Sequence, residues 1–344
     1  MDLTFSHKSR LLLIGGGKIL MKTAYWAHDN GFPVEVILST RHAEEGITGP
    51  SNNLKQMLDA KKIKNYIIDD IESSKSLDVI GDIEKTICIS ISAAWIFKKK
   101  MIEDIFKGRL LNLHEARLPV GRGGGCISWK ILSGDRLGAS VLHLIAPKID
   151  AGEIVMAQDY IYPPDKCRIP IDYYRYNELQ SFDLICKFLN KVRVKNCFQT
   201  FKQLDYLSTY WPRLHTKTHA WIDWNWSPSE LERFICAFDD PYPGAQTMIY
   251  GKTVHLKNVI CHYGNSTFHP FQTGFIYRKR NNWLCIALLN ASLLVQSVTN
   301  ENGQDIIGEI KEGDRFYTPS QNLIYKARKV QFTPLGFKGV TQDI

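Results

Sequence analysis

A chain of 344 residues can form two ordinary domains, each burying its own core, and 44% hydrophobic with 23% charged residues excludes a disordered or fibrous protein. The net charge of +8 is moderate and thinly spread: the runs KKIK (61–64), KKK (98–100) and RKR (278–280) read as solvated faces, compatible with an anionic substrate and selecting none. Eight cysteines without a CxxC pair or even spacing give neither a disulfide framework nor a zinc signature, so no metal is expected.

The N-terminal segment sets basic residues before LLLI (11–14), but that run is short and ends in glycines and Lys18, so no signal peptide is expected. No apolar run is long enough to span a bilayer, and a reducing, cytoplasmic location follows as the expectation. LLLIGG reads as a buried strand, 18–30 as a helix, 34–40 as a strand and 51–61 as a short helix. Strands at 64–69 and 86–92, a helix near 97–106 and a strand at 110–114 come next. Short β-rich runs separated by helical spans predict an α/β fold, a parallel sheet with helices on both faces. Cys88, Cys236 and Cys285 lie in apolar runs and read as buried thiols.

Residues 126–134 read as a helix stopped by Gly134, and 139–145 as a further strand. A helix over 176–191 carries Leu179, Phe182, Ile185 and Leu189 as a core-facing stripe. After about residue 205 the aromatic, irregular YWPRLHTKTHAWIDW (210–224) reads as a linker. Ser227, Pro228 and Glu230 then form a capping box opening a helix whose apolar face is Leu231, Phe234, Ile235 and Phe238. From 246 onward, turn signals at 250–252, 300–303 and 312–314 separate short strands, which predicts a small β-rich, barrel-like domain.

Three places invite chemistry. Gly15-Gly16-Gly17-Lys18 follows the first strand but fits neither the dinucleotide fingerprint nor the P-loop. A tight turn explains it, and contact with an anionic ligand at the helix N-terminus is the alternative. In NLHEARLP (112–119), Asn112 and His114 lie two apart on a strand and so emerge on one side. An Asn amide can donate to a developing oxyanion and a His can take a proton near neutral pH, although a polar strand terminus has the same spacing. Asp150, in the turn IDAGEI (149–154), supplies a carboxylate able to fix the tautomer of a neighbouring imidazole. Together the three suit acyl transfer to an amine.

In this order and spacing, NLHEARLP, GRGGGCISW (121–129) and DAGEI (150–154) resemble the formyltransferase family that uses 10-formyltetrahydrofolate. That family includes methionyl-tRNA formyltransferase, glycinamide ribonucleotide transformylase and the N-formyltransferases of nucleotide-linked amino sugars. Its hallmark is Asn-x-His-x-Ser-Leu-Leu-Pro, a loop rich in Arg and Gly, a Trp-bearing helix and Asp-x-Gly. His143 matches a position often His, and 221–252 is similar to the start of the tRNA enzyme's C-terminal domain. The motif-level likeness covers 86–155 and 206–252.

The resemblance implies a Rossmann-like formyltransferase domain over 1–205, a linker over 206–220 and a smaller β-rich, OB-like domain over 221–344. It implies Asn112, His114 and Asp150 as catalytic residues, 10-formyltetrahydrofolate as formyl donor, and Ala94, Trp95 and Ile96 with Ala146, Ile149 and Asp150 as the walls of its pterin site. Trp95 reads equally well as a core aromatic. Glu115, Ala116, Arg117 and Cys126 depart from the family pattern where an acceptor should approach, and Arg117, Arg122 and Gly123 stand as acceptor contacts, the arginines for phosphates.

The tRNA enzyme carries a basic, glycine-rich loop after its second strand, whereas STRHAEEGITGPSNN (39–53) has two acidic residues, one Arg and no Lys. That footprint is too small for nucleic acid and favours a nucleotide-linked amino sugar as acceptor, with charged initiator tRNA as the alternative. A non-catalytic nucleotide- or folate-binding module is the second alternative. The sequence permits acceptor binding, a homodimer contact or plain packing for the C-terminal region alike.

Overall fold

The computed structural model describes residues 2–5, 10–47, 52–195, 197–264, 267–325, 329–333 and 336–341. In chain order the first elements are β1 (Asp2–Thr4), β2 (Arg10–Gly15), α1 (Gly17–Asp29), β3 (Val34–Leu38), α2 (Thr40–Ala43), α3 (Leu54–Ala60), β4 (Lys64–Ile67), α4 (Ser74–Ile80) and β5 (Thr86–Ile91). A π-helical turn (Met101–Ile105), β6 (Leu111–His114), α5 (Cys126–Ser133), β7 (Leu137–Leu144), β8 (Ile154–Ile161), α6 (Pro170–Val194) and β9 (Cys197–Gln199) follow.

Seven strands form one sheet in the order β4-β3-β2-β5-β6-β7-β8. Its first five strands are parallel, and alternation decides what each face buries. Leu11, Leu13, Ile87, Ile89, Leu111 and Leu113 pack against α1, α3 and α6, while Leu12, Ile14, Ile37 and Cys88 turn to α4 and the π-helical turn.

The expected parallel sheet is present and is extended at its far side by two antiparallel strands, β7 running antiparallel to β6 and β8 antiparallel to β7. A parallel crossover needs a helix that packs back on the sheet. The only helix between β6 and β7 is α5, and its buried face of Ile127, Ser128 and Ile131 belongs elsewhere: Ser128 Oγ donates to Ala237 O at 2.9 Å. The stripe expected on the 176–191 helix is also shifted. Leu184, Ile185, Phe188, Leu189 and Val192 face the core, whereas Leu179 is 59% exposed. The earlier turns present Asn177 and Ser181 inward instead, because they meet a polar cluster that includes Glu115 and Ser140.

The chain divides into two compact units drawn from interleaved segments. One comprises residues 1–123, 137–161 and 175–211; the other comprises 124–136, 162–174 and 212–344. The second contains α5 together with α7 (Thr216–His219), α8 (Pro228–Ala237), β10 (Ala245–Ile249), β11 (Lys252–His262), β12 (Ile276–Arg280), β13 (Trp283–Leu288), β14 (Ala291–Asn300), α9 (Ser320–Tyr325), β15 (Lys329–Thr333) and β16 (Gly336–Thr341).

Ser227 caps α8 as expected, accepting from Glu230 N while the Glu230 carboxylate accepts from Ser227 N. Strands β10-β11-β14-β13-β12 form an antiparallel sheet. Tyr250 (φ 52°) and Gly251 (φ 74°) make the tight turn between β10 and β11. Residues 314–317 bond to both edges: Ile276 N donates to Asp314 O and Phe316 N to Gly274 O on one side, and Met248 N and Tyr317 N exchange bonds on the other. The sheet thereby closes into the expected barrel-like form. Cys88 and Cys236 are buried; Cys285 is only half-buried. Among the described residues no helix is long and apolar enough to cross a membrane.

Candidate active site

The site grows from β6, the last parallel strand. Its burial alternates, Leu111 and Leu113 inward and Asn112 and His114 half-exposed on the other face. Pairing of Asn112 with His143 across β6 and β7 sets a third polar side chain beside them. Asn112 Nδ2 and His143 Nε2 are 3.1 Å apart, and His143 Nδ1 lies 2.8 Å from Leu144 O.

A carbonyl only accepts, so the His143 proton sits on Nδ1 and Nε2 takes one Asn112 N–H. Burial, then the neighbouring His114, pushes His143 down to about 4, which keeps it neutral and fit to accept. The second Nδ2–H of Asn112 remains for a reacting oxygen.

Asp150 hangs over this face. Its Oδ2 stands 3.7 Å from His114 Nδ1 and its Oδ1 3.7 Å from His143 Nε2, while Gly123 N donates to Oδ2 at 2.9 Å. His114 Nε2 donates to Gly121 O at 2.9 Å. Both the imidazole and the carboxylate are thus held by the backbone of the Gly-rich loop.

Asp150 has φ 49°, a left-handed conformation that costs an L-residue roughly 1–2 kcal/mol. Two residues on, Gly152 passes so close to β7 that a Cβ there would lie 1.7 Å from Leu144 O. Gly123 is constrained likewise, with φ 97° and a Cβ position 2.5 Å from Trp211 O. These glycines set the path of the loops that deliver Asp150.

The other expected contacts divide. Gly123 joins the centre through Asp150. Arg122 does not face solvent: it is 3% exposed, its Nη1 donates to Asp205 Oδ1 at 2.6 Å, and its Nε and Nη2 donate to Gln203 Oε1. Pairing with acceptor phosphates is therefore corrected to a structural brace, because the guanidinium is buried and committed to two internal acceptors. Arg117 is exposed and reaches Asp159 Oδ2 at 3.4 Å.

Trp95 packs against the β2–β5 core with Ala93 and Ile145 and donates its indole N–H to Asp69 O, while Ile96 is 71% exposed. Ala146 is half-buried and Ile149 exposed. The segments at 93–95 and 145–150 flank β6 from either side.

At Gly15–Gly17 the tight-turn reading fits: a Cβ on Gly16 would strike the His42 ring, and Gly16 N donates to Ile91 O. Glu45 accepts from the Gly17 N–H, so the helix N-terminus is already served by an internal carboxylate. Sequence reasoning did not single out Gln203, which lies outside any motif, or Gly121, the first residue of GRGGGCISW. Among the described residues no group of three metal-ligating side chains occurs.

Comparison with known proteins agrees with this architecture. A model of the formyl transferase C-terminal domain matches residues 215–310. The bifunctional polymyxin resistance protein ArnA of Wigglesworthia glossinidia brevipalpis is 27% identical over 62% of this chain and 32% of its own length. Methionyl-tRNA formyltransferase of Borrelia hermsii is 27% identical over 52% of this chain and 55% of its own. The chain thus spans about a third to a half of these relatives.

Among solved structures, the sugar 3N-formyl transferase WlaRD, determined with dTDP and 5-N-formyl-THF, superposes with a TM-score of 0.65 at 20% identity, covering 85% of this chain and 98% of that one. The N-formyltransferase of Helicobacter canadensis, in complex with folinic acid and dTDP-3-aminofucose, gives 0.65 at 18% identity, covering 84% and 99%. At such identities these two bear on the fold alone.

A mixed α/β sheet bearing Asn, His and Asp over one face is followed by a closed antiparallel sheet, the architecture these two solved formyltransferase structures share. The match to the C-terminal domain model and the methionyl-tRNA formyltransferase relatives support a formyltransferase family.

Proposed function

We propose that this protein transfers a formyl group from 10-formyltetrahydrofolate to the primary amine of a nucleotide-linked amino sugar. The observation that carries this is the convergence of Asn112, His114 and Asp150, with neutral His143 fixing the Asn112 amide. In this reading 1–205 carries the chemistry, 206–220 connects and 221–344 forms the C-terminal domain. The donor's pterin lies against Ala94–Ile96 and 146–150.

The amine nitrogen attacks the formyl carbon, and a tetrahedral oxyanion forms. The free Nδ2–H of Asn112 donates to that oxygen. His114 Nε2, whose partner is otherwise the Gly121 carbonyl, is the second donor and relays the proton. Collapse breaks the bond from the formyl carbon to N10, and the proton lost by the amine ends on N10. A donor to such an oxyanion is worth about 3–4 kcal/mol and a general base roughly 10²–10⁴-fold. His114→Asn should therefore lower kcat at least about 100-fold while the chain still binds 5-formyltetrahydrofolate. Retention of more than about a tenth of the activity overturns the assignment.

Two observations support the acceptor class: the acidic 39–53 segment and the dTDP-3-aminofucose in the complex of the Helicobacter canadensis N-formyltransferase. The second reading, charged initiator tRNA, has support from the methionyl-tRNA formyltransferases among the relatives. Supplying 10-formyltetrahydrofolate with nucleotide-linked amino sugars or with charged initiator tRNA separates the two. Formylation of tRNA alone refutes the first reading, and folate binding without transfer to either acceptor points to a binding module.

A further inference from the structure

Asp150 is gripped twice. Gln203 Nε2 donates to Asp150 O at 2.8 Å and to Gly152 O at 2.7 Å, using both of its hydrogens. Gln203 Oε1 accepts from Arg122 Nε at 3.2 Å and Nη2 at 2.8 Å. The second grip is the backbone of the residue after Arg122, where Gly123 N donates to Asp150 Oδ2.

Asp205 anchors the far side of the Arg122 guanidinium and is itself held by Lys148 at 2.7 Å. Every polar atom in the Gln203 amide is spent. A guanidinium only donates, so Arg122 forces Oε1 toward itself and leaves Nε2 for the two carbonyls. The geometry admits one amide orientation.

We infer that Gln203 is a positioning residue for this centre: acting through Asp150, it sets the carboxylate against His114 and His143, with Arg122 as the brace that orients its amide. Asp150 stands in the left-handed region, where an L-residue stays only if its surroundings hold it. Gln203 holds the two carbonyls of that turn, and the 122–123 backbone holds the carboxylate it presents. None of these contacts touches a reacting atom. The inference rests on the reading that Asn112, His114 and Asp150 transfer formyl.

The test uses Gln203→Met, which keeps the length without the bonds, and Gln203→Glu, which places an acceptor against two carbonyls. Both should lower kcat about 10–100-fold, the scale of a misplacement near 1 Å, with KM for donor and acceptor within about threefold. In an Asp150→Asn background, Gln203→Met should cost nothing further, because a residue acting through the carboxylate has lost its lever.

An unchanged kcat, a loss carried by KM, or losses that add in the double variant each overturn the inference. A readout independent of turnover is amide exchange at Gly123, whose N–H should exchange about tenfold faster in Gln203→Met; unaltered protection refutes the grip. Should the Gln203 variants not fold, Arg122→Lys keeps the charge, loses the fork and carries the same measurements. If the natural protein transfers no formyl group yet the exchange difference is seen, the functional reading fails and the clamp stands.

Discussion

Glu115 sits one residue after His114 and points the other way, toward α6, where Ser181 Oγ donates to it at 3.3 Å. Burial pushes its carboxyl up to about 7, against the opposing pull of hydrogen bonds from Ser181 and Asn177. The folded chain therefore holds a proton that the unfolded chain releases near 4.5, and stability falls as pH rises from there through 7. Burial acts oppositely on His143 and His42, both pushed down to about 4, so stability also falls as pH drops from 6.5 toward 4.

Glu115→Gln should remove the alkaline loss, gaining up to about 3 kcal/mol at pH 8 and little at pH 5 by urea denaturation. An equal gain at both pH values defeats the explanation. At this scale Asn112 and His114 were legible because a strand's period of two puts them on one side, and Asp150 because its turn has a motif. Gln203 was not, since it acts through backbone carbonyls that carry no sequence signature. Arg122 was misread for the complementary reason: an arginine beside glycines looks free until its internal acceptors are known.

Among the elements, the parallel strands were readable because both of their faces are buried and their apolar runs are continuous. The direction of β7 was not, because it depends on where α5 packs rather than on the composition of β7. The loop from β7 to β8 is tightly constrained: Leu144 N donates to Glu153 O while Gly152 lies against Leu144 O. Gly152→Ala forces that backbone apart and should cost at least about 2 kcal/mol, with activity lost alongside as Asp150 is displaced. Denaturant titration checks it, and a variant within about 0.5 kcal/mol of the natural protein contradicts the crowding.

For the molecule as a whole, interleaving matters more than the order of domains along the chain. α5 and residues 162–174 depend on partners made after residue 211: Ile171 N donates to Asp240 O, and Arg168 pairs with Glu232 at 2.8 Å. A chain ending at Trp211 leaves Ile127, Ile131, Tyr162 and Tyr173 without their cover. Residues 1–211 should therefore precipitate or melt well below the full chain in a thermal scan; an equal melting temperature counts against it. The closing segment of the second sheet bears on time as well as on form. Thr247 and the Tyr317 carbonyl it bonds are 70 residues apart, so during synthesis β10 emerges long before the strand that covers it. Until then both rims of that sheet are open templates for any neighbouring chain, and the hazard ends only once residues 314–317 have emerged.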